Sequence, residues 1–535
     1  MSATLVIGGA LLIAFYGVRI VLRRVFSALD NVPGPPRTSI VTGNLAQFHD
    51  PDDWGFQKQL EENYGGVVRI LGFLGDRELY VFDPAALHTI LVQEPDVYEQ
   101  PPKYLALDCL MWGKGVFSTG LDEHRKYRKI MMPAFSTANL REMIPLFYDV
   151  AQQARDGLIA PNVTPTPQTL DLNSVLRRTA LELIGRTGIG YSFDRMLPGE
   201  EQTDPYAESL RSLFPTAFKM QLLIPLLPLL VNNFPASFLR FMIPFIPLRP
   251  LHEMRHLVDL TDGKAAELVR DRKIAIQSGK QEVDDGKDIM SLLVKQNASA
   301  ESGMHLTDAE LVGCTSQIMF AATDTTSSSM NRLFHVLASY PDVQEKLRAE
   351  IIAVPEHLDY ETLVALPYLD AVIREVLRLY PPASPVMFRE AMTDGVLPLS
   401  TPITGVDGKV MNSIQVPKGT QIYIAIAAAN HNKDIWGEDV LEFKPERWSN
   451  GRAESVTTKQ CGIYGNTLTF LGGGRSCIGV NFAQLEMKVT TCVLLRAFKF
   501  SSPDPRIKWR KPGIMPSPFV DNEPSLPIFV ERLKA

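Results

Sequence analysis

The sequence predicts a mainly α chain with small β-sheets, folded as one large domain behind an N-terminal membrane helix. Three observations carry that prediction. Apolar residues recur at helical spacing from Leu87 onward, with few strand patterns before the C-terminal third. Val67 to Phe82 instead alternates around Gly72 and Gly75, which reads as a hairpin. The first 22 residues form an apolar run whose only charge is Arg19. At 535 residues and 45% hydrophobic, the chain can bury one large core. A net charge of −6 without blocks of like charge argues against a nucleic-acid binder. The five cysteines are odd in number and widely spread, so they form neither a disulfide framework nor a C-x-x-C zinc site.

Taken in order, the apolar run has about the length of a tilted membrane span. Arg19, Arg23 and Arg24 follow it and nothing basic precedes it, the reverse of a cleaved leader. By the positive-inside rule the remainder is cytosolic, which predicts a single-pass anchor over 1–28. "NVPGPPRTS" then makes an extended, stiff hinge, 29–40, ahead of a domain over 41–535. A long helix is predicted between His305 and Pro341, opened by the capping box of Thr307 and Glu310. Its middle, "TDTTSSS" from Thr323 to Ser329, is seven small polar residues in a row. The plain reading is a solvated face, but no single helix face holds seven consecutive residues, so some hydroxyls, or Asp324, must point inward, and a buried Asp-Thr pair there is a candidate proton relay.

Glu375 and Arg378, three apart on one helix, can pair. In "FKPERW", Arg447 lies among apolar residues and needs a carboxylate, for which Glu375 is a candidate. "FLGGGRSCIG" sets Cys477 after a glycine run and just before a helix, where free N–H groups favour a thiolate.

Each piece is weak alone, and their order decides. With His124 and Arg128 in "GLDEHRKYRK" ahead of them, the chain resembles the cytochrome P-450 family of haem-thiolate monooxygenases, in its membrane-bound eukaryotic, microsomal and fungal form. Phe470, Gly473, Arg475, Cys477 and Gly479 match that family's cysteine signature residue by residue. The resemblance implies the P-450 fold and haem b, with Cys477 as the thiolate ligand of its iron. It implies His124, Arg128, Arg389 and Arg475 as partners of the haem propionates and Phe470 as cover on the cysteine side. It gives Asp324 and Thr325 as the acid-alcohol pair that orders water and delivers protons, and Glu375, Arg378 and Arg447 as a structural triad. Phe320, Ala321, Val386 and Met387 become substrate contacts. Two positions depart from the common pattern: Ala322 stands where glycine is frequent, and His124 where tryptophan is frequent.

Gln221 to Pro250 holds six prolines and two charges, too broken for a span. In the resembled fold it dips into the bilayer and forms an apolar mouth for a lipophilic substrate: a terpenoid, sterol or fatty acid of secondary metabolism. No dinucleotide or flavin motif is present, so electrons from NADPH must come through a reductase, with cytochrome b5 as a further donor, in the endoplasmic reticulum membrane. Arg125, Lys126 and Lys129 are candidates for the reductase's landing surface, against an ordinary solvated face. Two rival readings are a haem-thiolate isomerase or dehydratase that does not use O2, and a non-enzymatic haem binder. The first usually lacks the acid-alcohol pair.

Overall fold

A computed structural model describes residues 27–533 except 53, 198–203, 222, 279–286, 300–304, 384–385, 449–459 and 502–503. The membrane helix predicted over 1–28 thus lies, apart from Ser27 and Ala28, outside the described residues. Among the described residues no helix is long and apolar enough to cross a membrane.

The proline hinge is tied down. Pro33 O accepts the Arg69 N–H at 2.9 Å and Pro36 O accepts the Asn44 side chain at 2.9 Å. A Cβ on Gly34 would stand 1.8 Å from the Arg69 carbonyl oxygen, so only glycine lets the hinge lie this close to a strand.

That strand opens the main sheet. Its members are β1 (Val67–Leu71), β2 (Arg77–Val81), β3 (Tyr98–Glu99), β4 (Val386–Ala391) and β5 (Gln421–Ala425), in spatial order β1-β2-β5-β4-β3. The predicted hairpin is β1–β2, paired antiparallel from Val67↔Val81 to Leu71↔Arg77. Only β2 and β5 run parallel, and β5 is buried along its whole length, as its unbroken "QIYIA" requires. Pairing of β3 with β4 sets Glu99 opposite Glu390, next to Arg389.

Helices make up most of the rest. The central helix, Asp308–Ser339, starts on the predicted capping box: Thr307 Oγ1 accepts the Glu310 N–H and Glu310 Oε2 accepts the Thr307 N–H. It packs against Leu172–Ile184, Arg249–Ser278 and the cysteine helix, Val480–Ala497. Its polar middle is buried, and the hydroxyls are satisfied there. Thr323, Thr325 and Ser329 donate to the carbonyls of Met319, Ala321 and Thr325, four residues back. Thr326 donates to Glu486 and Ser328 to Pro516 O.

The proline-broken segment forms two short helices, Leu227–Asn233 and Ala236–Met242, joined by turns. It turns its apolar side chains outward: Leu229 is 65% exposed, Phe241 64% and Phe245 66%. Monomeric soluble surfaces rarely group large apolar residues in this way.

Candidate active site

The cysteine loop runs from strand Thr467–Gly472 through the turn Gly473–Arg475 to the helix that begins at Val480. Gly473 has φ +68°, and a Cβ there would meet the Leu91 carbonyl oxygen at 1.8 Å, so the turn requires glycine. The Cys477 N–H donates to Phe470 O at 2.9 Å, which holds the loop closed. The Phe470 ring is half-buried and meets Tyr464 edge-on at 5.2 Å.

Cys477 is solvent-accessible, yet burial lifts its thiol above the ordinary value, against the pull of the Gly479 N–H and Arg128. Both hold for a sulfur that faces an internal space rather than bulk water. The other cysteines differ. Cys314 and Cys492 are buried and their thiols are pushed up to about 12, which leaves them inert.

Around this sulfur the fold collects positive charge. His124 and Arg128 lie on the helix Leu121–Met131, Arg475 on the loop and Arg389 on β4. Arg128 donates to Ser476 O at 2.5 Å and to its hydroxyl at 3.2 Å. Arg475 donates to Thr119 O at 2.9 Å and pairs with Glu99 at 2.8 Å. Arg389 is buried and donates to Phe388 O at 2.7 Å; burial and then Arg475 bring its pKa down to about 10. Burial first, then Arg475, Arg128 and Arg389, pull His124 down to about 3, so it is neutral at physiological pH. Its buried Nδ1 and the Nε of Arg475 have no partner among the described residues. Four nitrogen-bearing side chains share one paired carboxylate, Glu99. By strand alternation Met387 shares its face of β4 with Arg389.

The central helix separates its two predicted residues. Consecutive positions stand about 100° apart on a helix, so they face different neighbours. The Thr325 hydroxyl donates to Ala321 O at 2.6 Å. Asp324 instead stands 3.7 Å from Arg211, and burial raises its carboxyl while Arg211 and Arg177 oppose the rise. Phe320, one turn earlier on the same stripe, stacks on Trp112 at 4.7 Å and meets Phe214 at 5.1 Å. Phe320 and Asp324 line a cavity with Arg177 and Arg211, whereas Ala321 and Thr325 lie on the neighbouring face.

Glu375, Arg378 and Arg447 come together as the sequence suggested, all buried. Arg378 grips Glu375 with two bonds of 2.9 and 2.8 Å, and Arg447 adds a third at 3.2 Å. The Trp448 indole and the Lys444 N–H complete that carboxylate's set. Arg447 also pairs with Asp439 at 2.7 Å.

Of the proposed landing residues, Arg125 and Lys129 are exposed, while Lys126 donates to His305 O at 3.1 Å and is partly withdrawn. Sequence reasoning missed Glu99, Ser476, Arg177, Arg211 and Glu486. The last is fully buried on the helix that follows the cysteine loop, and burial pushes its carboxyl well above the ordinary range. An acidic residue inside the apolar run Phe482, Leu485, Val489 was the available signal.

The family model described as cytochrome P450 matches residues 33–518. Cytochrome P450 monooxygenase 91 of Postia placenta is 42% identical over 528 residues, 97% of each chain. Ganoderic acid synthetase of Ganoderma lucidum is 37% identical, covering 96% of this chain and 95% of its own. A cytochrome P450 monooxygenase of Hericium erinaceus is 33% identical over 99% and 98% of the two chains.

Proposed function

The chain belongs to the cytochrome P450 family, whose cofactor is haem held by a cysteine thiolate, and on that premise we propose a monooxygenase that oxidises a lipophilic molecule with electrons relayed from NADPH by a reductase. The observation that carries this reading is the donor cluster: neutral His124 with the cations Arg128, Arg389 and Arg475 around an accessible sulfur, with one paired carboxylate and two orphaned buried nitrogens among the described residues. Such a donor set fits a flat group bearing two carboxylates. Neutral His124 still donates one N–H, so its place in the set survives the missing tryptophan.

When bound, haem supplies activation of O2 for insertion of one oxygen atom into the substrate. The remaining work belongs to the chain. Cys477 would ligate the iron, with the Gly479 N–H and Arg128 stabilising its thiolate. Gly473 lets the loop lie flat, and Phe470 covers its cysteine side. Thr325 would order water with its hydroxyl, and Asp324 would hold and pass a proton at its carboxyl from the neighbouring face of the helix. Glu375, Arg378 and Arg447 serve folding and cofactor retention. Ala321, Val386 and Met387 remain the proposed substrate contacts, while Phe320 acts from the Asp324 side.

A relative named for synthesis of ganoderic acid supports an oxidative role in fungal secondary metabolism, with a terpenoid, sterol or fatty acid as substrate. The outward Leu229, Phe241 and Phe245 support a lipid-facing mouth beside an anchor over 1–28, in the endoplasmic reticulum membrane. Arg125 and Lys129 are proposed to meet an acidic reductase. The acid-alcohol pair speaks against the isomerase or dehydratase reading.

Membranes carrying the chain and an NADPH-dependent reductase, fed a panel of such lipids under ¹⁸O₂, should yield a product with one labelled oxygen. A chain that stimulates no NADPH consumption with any of them, or yields unlabelled product, overturns the reading.

A further inference from the structure

We propose that the cavity on the Asp324 side of the central helix is a binding site for an amphiphilic carboxylate, an organic acid with an apolar body, separate from the face that carries Thr325. It goes beyond the monooxygenase reading and stands without it.

Phe214, Phe320 and Phe519 give the cavity an aromatic wall. Among the described lining residues its charged groups are Arg177, Arg211 and Asp324, two guanidiniums to one carboxylate. The pair Arg211–Asp324 is 3.7 Å apart, too long for a hydrogen bond. Arg177 makes no ion pair with a described residue; Asp324, Asp171 and Glu208 reach it only through their fields, and the latter two do not line the space. Burial lowers both arginines from their ordinary value, Arg211 to about 10. Most of the other polar groups are spoken for. Ser328 donates to Pro516 O at 2.7 Å, Ser327 to Asp324 O at 3.2 Å, and the Asn331 amide to Asn173 at 2.9 Å. Ser517 also lines the space, and the Asn331 Oδ1 acceptor has no partner among the described residues. The guanidiniums are therefore the charged donors that line it.

An uncompensated guanidinium in apolar surroundings is costly, and a carboxylate bound bidentately relieves that cost. A neutral ligand leaves the excess charge in place. An inorganic anion satisfies the charge but leaves the aromatic wall without a partner. Only an acid with an apolar body answers both. Bound there, it competes with Asp324 for Arg211 and so loosens the residue that the proposed reaction uses for protons.

The test is equilibrium dialysis of labelled dodecanoate and dodecanol against the full-length holoenzyme. The native chain should hold dodecanoate at least about tenfold tighter than dodecanol, as a charged hydrogen bond predicts. Arg177→Gln alone should reduce that preference, and Arg177→Gln with Arg211→Gln should bring it within about twofold, while the Lys pair keeps part of it. Unchanged thermal midpoints establish that the variants are folded. Equal binding of acid and alcohol by the native chain, or a preference that survives the double Gln variant, overturns the proposal. Complete displacement of dodecanoate by equimolar acetate overturns it too, because the site is then a small-anion site only.

Discussion

Two groups of buried and half-buried arginines handle charge in opposite ways. Around Glu375 the count closes: Arg378 and Arg447 meet Glu375 and Asp439, and spare N–H groups go to the carbonyls of Asn430 and Trp436. Around Cys477 it does not close: among the described residues Arg128, Arg389 and Arg475 have one paired carboxylate, Glu99. Burying a charge without its counterion is expensive, so an unbalanced group persists only where something else supplies the missing sign. We read the balanced cluster as architecture and propose the unbalanced one as a binding site.

This contrast can be broken or sharpened by four substitutions. Cys477→Ser should abolish turnover and the absorbance shift of the reduced, carbon-monoxide-bound pigment while far-UV circular dichroism stays native; retained activity breaks the assignment of the unbalanced cluster. Glu375→Gln leaves Arg378 buried against a neutral amide, with Arg447 keeping only Asp439, and should cost about 3–5 kcal/mol in chemical denaturation. A loss below about 1 kcal/mol would mean that the balanced cluster is not structural. Arg475→Gln should weaken haem retention about tenfold in a transfer assay to apomyoglobin, with much less effect on denaturation of the haem-free chain. Equal effects on both would erase the distinction between the clusters.

The smallest effect concerns pH. His431, half-buried beside Arg378, has its pKa lowered to about 4 by desolvation and then by that arginine. Its folded value lies below the unfolded one, so the unfolded chain binds the extra proton between pH 6.5 and about 4. Its contribution is complete above that window and is lost as pH falls through it. His431→Asn should flatten the acid limb of stability against pH by up to about 1.4 kcal/mol per unit. An unchanged slope in pH-dependent denaturation would show that this histidine is already charged in the fold.

Much of this was legible in the sequence because it is local. The capping box of Thr307 and Glu310, the Glu375–Arg378 pair and the cysteine turn with Gly473 are each set by spacing within a few residues. The counter-charges were not legible. Glu99 reaches Arg475 only because β3 pairs with β4, and Arg177 and Arg211 reach Asp324 from two other helices. Tertiary packing decides such partners, and no local pattern encodes them. One local rule was available and bore directly on the site: neighbours in a helix point about 100° apart, so Asp324 and Thr325 were never going to share one partner.

The hydroxyls that bond back along the central helix have a mechanical consequence. At Met319, Ala321 and Thr325 each carbonyl has a side-chain donor in addition to its backbone N–H. Stretching the backbone bonds there leaves these three acceptors still occupied, so that stretch is compliant while the capped N-terminal end stays stiff. A scaffold that yields at one turn can admit guests of different girth without remodelling its core.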